Sequence, residues 1–149
     1  MKKRNRFNNK ESEKMELIFK TLKQKVIISA ALEEIYNAII DAEKHSEFTG
    51  SKASSDPKIG GKFTSWNGYI FGKYIELDKG KKIVQEWKTT EWPNGYPPSI
   101  FELNLKKLDD GTEIEMIHSK VPKEQADNYD QGWKEYYWKP LKAYFKNKK

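Results

Sequence analysis

Two runs of strict alternation, joined only by Asp109-Asp110-Gly111, constrain this chain more than any other feature. Phe101, Leu103 and Leu105 alternate with Glu102, Asn104 and Lys106; beyond the joint, Ile114, Met116 and His118 alternate with Glu113 and Glu115. A period of two places one set of side chains on a dry face and the other on a wet face, so both runs read as strands of a half-buried sheet. A joint this short allows only an antiparallel hairpin. The same reading predicts strands over 61–66, 69–78, 82–90, 98–108 and 111–120, with turn chemistry between them at Asn67-Gly68 and Asp78-Lys79-Gly80. A further long strand is expected over 15–28, bulged near Lys23–Lys25.

Three segments switch to helical spacing. Leu32, Ile35, Tyr36, Ile39 and Ile40 step by three and four, which predicts a helix over 30–41 with Ser29 as its cap and Glu33 and Glu34 at its positive end. A short helix follows around 42–48 and closes near Gly50. At the other end of the chain, Ala126, Tyr129, Trp133, Tyr136, Tyr137, Leu141, Tyr144 and Phe145 form a stripe, predicting a helix over about 124–146, long enough to cross a sheet. Pro140 sits inside it. A proline there removes a hydrogen bond and crowds the carbonyl of Tyr136, at about 3 kcal/mol if nothing compensates, so a kink near 136–140 is expected. Strand, one or two helices, a strand meander and a long helix make an α+β domain, its helices gathered on one side of a bent antiparallel sheet.

The 149 residues suit a single domain over 15–149, preceded by a polar, aperiodic segment, 1–14, that reads as a disordered basic tail. Net charge is +6, but 1–14 carries +4 and 138–149 carries +5, which leaves −3 on the body between. Aromatic rings beside lysines raise the question of nucleic acid. An acidic body and rings at helical spacing, which predicts burial, argue against it; basic ends alone bind polyanions weakly. There is no cysteine, no signal-peptide pattern and no apolar run of membrane-spanning length, so a soluble, cytoplasmic monomer is expected.

The residues offer little for catalysis. His45 and His118 are the only histidines, and His118 shares a strand face with Ile114 and Met116, where a core or pocket-edge role is expected. No metal-ligand spacing, nucleophile motif or phosphate loop is present; Gly60-Gly61 leads into a strand and lacks the loop's lysine ending. No metal, cofactor or enzymatic activity is therefore expected. The glutamates that alternate with apolar residues fit a solvated sheet face. The aromatic stripe fits a helix face packed on the sheet. A helix laid over a curved sheet leaves either a filled interior or a hollow lined by rings. Candidate lining residues are Phe63, Phe71, Trp87, Phe101, Met116, His118, Trp133, Tyr136 and Tyr137.

Five stretches carry a family resemblance: ALEEIYNAI at 31–39, GGKFTSWNGYIFGKYIEL at 60–77, KIVQEWKTTEWPNG at 82–95, GTEIEMIHSKVP at 111–122 and QGWKEYYWKPLKAYF at 131–145. Over about 22–147 the chain resembles the helix-grip (START-like, SRPBCC) superfamily and, within it, the C-terminal-domain family of activators of the heat-shock protein 90 ATPase. Two departures stand out. The separate N-terminal domain of the two-domain co-chaperones has no counterpart here, and Pro140 replaces an ordinary helix residue or glycine. The resemblance implies a curved antiparallel sheet of about six or seven strands around a long C-terminal helix, with one or two short helices after the first strand. It also implies a binding role, on an HSP90-type chaperone or another protein. The alternative is binding, transport or sensing of a small hydrophobic ligand between sheet and terminal helix. Cyclase- or lyase-like enzymes of the wider superfamily would need a paired, buried acid and base, which this sequence does not offer.

Overall fold

The computed structural model describes residues 17–148, so the expected basic tail, 1–14, lies outside the described residues. The elements run β1 (Phe19–Ile28), α1 (Leu32–Ile40), α2 (Ala42–Thr49), β2 (Ser54–Ser55), β3 (Lys62–Ser65), β4 (Ile70–Asp78), β5 (Lys82–Thr89), β6 (Ser99–Leu108), β7 (Gly111–Pro122), α3 (Lys123–Trp133), a π-helical turn (Lys134–Trp138) and α4 (Lys139–Asn147). All seven strands form one antiparallel sheet in the order β1-β7-β6-β5-β4-β3-β2. The consecutive hairpins follow the turn signals. β1 adds to the far side of β7 after the two short helices.

The alternation of β6 and β7 sets the register. Phe101 lies opposite His118, Leu103 opposite Met116 and Leu105 opposite Ile114, and all six are buried on one face. A slip of one residue would turn that whole set to water. Two bulges bend the sheet. In the β4–β5 pair the extra residue falls at Ile75, between Tyr74 and Glu76. In the β1–β7 pair it falls on β7, around Ser119 and Lys120, where Lys120 has φ 59°. The bulge expected near Lys23–Lys25 thus belongs to the partner strand: Lys20 to Leu22 is two steps on β1, while Val121 to His118 is three on β7. β2, only Ser54 and Ser55, had no apolar pattern to reveal it.

Helix ends also depart from expectation at one point. α1 begins after Ala31, not Ser29; the Ala31 N–H donates to Glu34 Oε1 at 3.0 Å. α2 is capped by Asp41, whose Oδ1 accepts from the Lys44 N–H at 3.0 Å, and it ends at Gly50 with φ 77°.

The terminal helix crosses the concave face of the sheet with most of its rings inward, Tyr136 excepted. Trp133 stacks on Phe101 with centroids 4.3 Å apart and planes 10° apart. Tyr129 reaches Thr89 Oγ1 at 2.8 Å, Tyr137 reaches Ser65 Oγ at 2.7 Å, and the Trp138 indole donates to Gln24 Oε1 at 2.7 Å. These contacts bind the helix to β5, β3 and β1 in turn. Pro140 is accommodated by the π-helical turn: the Lys139 N–H bonds to the carbonyl of Lys134, five residues back. Pro140 then stands in the first turn of α4, where a missing N–H costs least. The architecture is the helix-grip expected, with two short helices and seven strands.

Candidate functional site

The terminal helix and the sheet leave two spaces of different kind. The inner one lies between Phe63, Tyr74, Phe101, Trp133 and Tyr137 and has room for about 20 Å³, the space of a single water. The interior beneath the helix is therefore filled by the rings themselves. The outer space is a cleft of about 410 Å³ beside the middle of the terminal helix. Its floor is Trp87, Ile70, Gly132 and Trp133; its walls are Trp66 and Tyr69 from the β3–β4 end of the sheet and Tyr129, Tyr136 and Tyr137 from α3 and the π turn.

Local sequence explains each wall. Trp66, Asn67 and Gly68 all have positive φ, 53°, 57° and 88°. A left-handed backbone is costly for a large residue such as Trp66, and it is held there because the Asn67 N–H donates to the Lys52 carbonyl at 2.8 Å. The turn thereby lifts the indole to the cleft rim, 5.8 Å from the Tyr136 ring in an edge-to-face contact. On the opposite wall the π turn changes the helical phase so that Tyr137 points inward while Tyr136 is 61% exposed. Gly132 contributes no side chain; a Cβ there would meet only the Tyr136 ring, at 3.9 Å, so the cleft floor is open at this point.

Several polar groups around both spaces are engaged within the protein. Tyr69 donates to Glu91 Oε1 at 2.6 Å, and Tyr129 donates to Gln125 Oε1 at 2.6 Å. Burial and the Glu91 carboxylate raise the pKa of Tyr69; burial, ahead of the Glu91 charge, raises that of Tyr129. Both phenols stay neutral donors, and the cleft presents aromatic rings. His118 is fully buried: Trp133 Nε1–H donates to its Nδ1 at 3.2 Å, its Nε2 faces Ser99 Oγ at 2.9 Å, and Ser99 donates to the Trp87 carbonyl at 2.7 Å. That chain fixes the neutral tautomer with the proton on Nε2. Burial pushes the His118 pKa down to about 3. Burial likewise lowers His45 to about 4; its Nδ1 bonds the Ile39 carbonyl at 3.0 Å and its Nε2 lies 3.4 Å from Tyr137 Oη. Among the described residues every buried side-chain nitrogen and oxygen has a partner.

The nine candidate residues divide accordingly. Trp87, Trp133 and Tyr137 border both spaces, Phe63 and Phe101 the inner one, and Tyr136 the outer one. Met116 and His118 are core residues that border neither. Phe71 is corrected: it is 36% exposed on the convex face, because β4 places Ile70 and Tyr74 inward and Phe71 outward. Trp66, Tyr69 and Tyr129 were not among the candidates. Trp66 precedes an Asn-Gly turn, a signal that its ring sits at a sheet end, but its left-handed backbone has no sequence signature.

With the geometry established, the comparisons with known proteins are specific. The family described as Activator of Hsp90 ATPase homolog 1-like protein matches residues 29–146. The human activator of 90 kDa heat shock protein ATPase homolog 1 is 30% identical over 125 residues, covering 84% of this chain and 36% of that one. The Dictyostelium discoideum homolog is 30% identical over 118 residues, covering 77% of this chain and 30% of that one. The chain thus spans about a third of the length of these relatives. A crystal structure described as an HSP90 activator from Plasmodium falciparum superposes with a TM-score of 0.77 at 25% identity, covering 84% of this chain and 95% of that one. The match over most of the ordered fold leaves one conclusion: this chain belongs to the Activator of Hsp90 ATPase homolog 1-like family.

Proposed function

We propose that this domain is a non-enzymatic, monomeric, cytoplasmic binding module that docks on an HSP90-type chaperone and raises its ATPase rate. The observation that carries the reading is the likeness to the Plasmodium falciparum activator, which extends over 95% of that chain; a partner with the bulk of this domain alone bears that description. Two features of the site support it. Both histidines are held neutral with both ring nitrogens engaged, so neither is poised as a general base. The exposed Tyr136 and the rim Trp66 form an aromatic notch suited to an anchoring side chain of a partner, since hot spots concentrate in such desolvated aromatic pockets. Calorimetric titration of the source organism's HSP90-type chaperone into the purified protein tests this: binding in the micromolar range is expected, and no heat at tens of micromolar would remove the reading.

A second reading is favoured by the cleft volume. About 410 Å³ lies within the range of small-molecule sites, roughly 300–1,000 Å³, and the lining is aromatic. A small hydrophobic ligand would lie in this outer cleft, since the inner space is too small. Native mass spectrometry of the purified protein should then show a bound apolar molecule that is lost in Gly132→Leu, whose side chain enters the cleft floor. A protein that carries nothing and whose Trp fluorescence ignores lipids and flavonoids would exclude the ligand role.

A further inference from the structure

Away from the aromatic cleft, a second groove of about 500 Å³ runs between β1 and the terminal helix. Lys134, Lys139 and Lys142 stand on its helix side, all exposed; Lys23 and Lys25 belong to its β1 rim, but their side chains alternate with Gln24 and Val26, which face the helix, and so lie on the outer sheet face with Glu115. The counter-charges nearby are few. Glu135 lies 3.9 Å from Lys139, both largely in solvent, and Glu115 sits opposite Lys25 in the β1–β7 pairing. Asp130 accepts from Gln24 at 2.8 Å. Lys23, Lys25, Lys134 and Lys142 make no ion pair among the described residues. Edge-strand lysines discourage strand addition, which accounts for Lys23 and Lys25. It does not account for three more on the facing helix.

We propose that this groove is the docking site for an extended, acidic polypeptide segment of a partner protein. Lys134 to Lys142 covers about 12 Å of helix, the length of roughly four extended residues. Successive side chains of an extended segment point to opposite sides, so every second carboxylate would face Lys134, Lys139 and Lys142. The groove's floor selects against nucleic acid. Trp138 is its one aromatic residue, is 5% exposed, and has its indole N–H engaged by Gln24, so it gives bases no ring to stack on. The site is separate from the aromatic cleft, and the inference does not depend on the chaperone reading.

The test uses fluorescence anisotropy with fluorescein-labelled Asp-Glu-Asp-Glu-Asp-Glu. Expected is saturable binding at about 50 mM salt that weakens about tenfold or more at about 300 mM, as screening of exposed pairs requires. The triple variant Lys134→Gln, Lys139→Gln, Lys142→Gln should lose at least about tenfold in affinity with an unchanged melting temperature, its three side chains being exposed. The variant Lys2→Gln, Lys3→Gln, Arg4→Gln, Arg6→Gln should bind as the parent does. Three results overturn the proposal: no binding of the acidic peptide; loss in the N-terminal variant with none in the groove variant; or equal binding of a neutral Ser-Gln hexapeptide. Tighter binding of a six-residue oligothymidylate, lost in the groove variant, would reassign the groove to nucleic acid and likewise overturn it.

Discussion

His118 shows how one buried side chain can organise a face of the core and expose it to acid. Its Nδ1 accepts from Trp133 and its Nε2 proton goes to Ser99, so a second proton would set two N–H donors against each other. The folded protein therefore holds both histidines neutral, near pKa 3 for His118 and 4 for His45, while the unfolded chain titrates near the ordinary 6.5. Between those values unfolding takes up protons, so their contribution to stability is complete above about pH 6.5 and falls steadily as pH drops towards 4 and then 3. The urea midpoint should drop clearly between pH 7.5 and pH 5, and His118→Gln, which can still donate and accept but does not titrate, should show a shallower drop. A midpoint unchanged over that interval would show that the histidines are not held as described. Sequence placed His118 on the correct strand face, but the tautomer is set by Ser99 and Trp133, 19 and 15 residues away, which no local pattern shows.

At the scale of elements, the π-helical turn joins a sequence anomaly to the site. Pro140 in a regular helix would cost about 3 kcal/mol, and the five-residue spacing from Lys134 to Lys139 relieves that conflict while turning Tyr136 out to the cleft rim. Pro140→Ala should accordingly change the folding free energy by less than about 1 kcal/mol, by urea melts, because the strain has already been removed. A gain of 2–3 kcal/mol would mean that the proline still opposes the helix. This also marks the limit of sequence reading. A departure from the regular α-helix near Pro140 was legible, since one residue causes it; its form as a π turn was not, since the chain can relieve such a clash in several ways. The β6–β7 hairpin was legible because period-two burial and a short joint leave one register, although β7 runs on to Pro122, two residues past the expected end at 120. The β7 bulge was misplaced onto β1 because a bulge is a mismatch between two strands, and neither strand alone records which carries the extra residue. Phe71 was misassigned for a related reason. β4 mixes apolar residues on both faces, with Ile70 and Tyr74 inward and Phe71 and Ile75 outward, so apolar character did not mark the inner side.

Considered whole, the molecule fills its interior and carries its aromatic cleft and its lysine groove on the outside. The rings of α3 and the π turn close the concave sheet down to about 20 Å³, and the same elements build a cleft of about 410 Å³ and one wall of a lysine groove. The sequence foretold that the stripe would face the sheet. The cleft was beyond it, because its walls come from residues between 66 and 137 that only the folded sheet brings together. In the binding role proposed above, the domain would act through side chains that contribute little to its own stability, and Tyr136, 61% exposed, is the foremost candidate. The most direct measurement is the ATPase rate of the source organism's HSP90-type chaperone titrated with this protein and with Tyr136→Ala. The protein should raise the rate saturably, and the variant, folded as judged by its melting temperature, should need several-fold higher concentration for the same effect. A rate that stays at the chaperone's basal value throughout the titration would contradict the account.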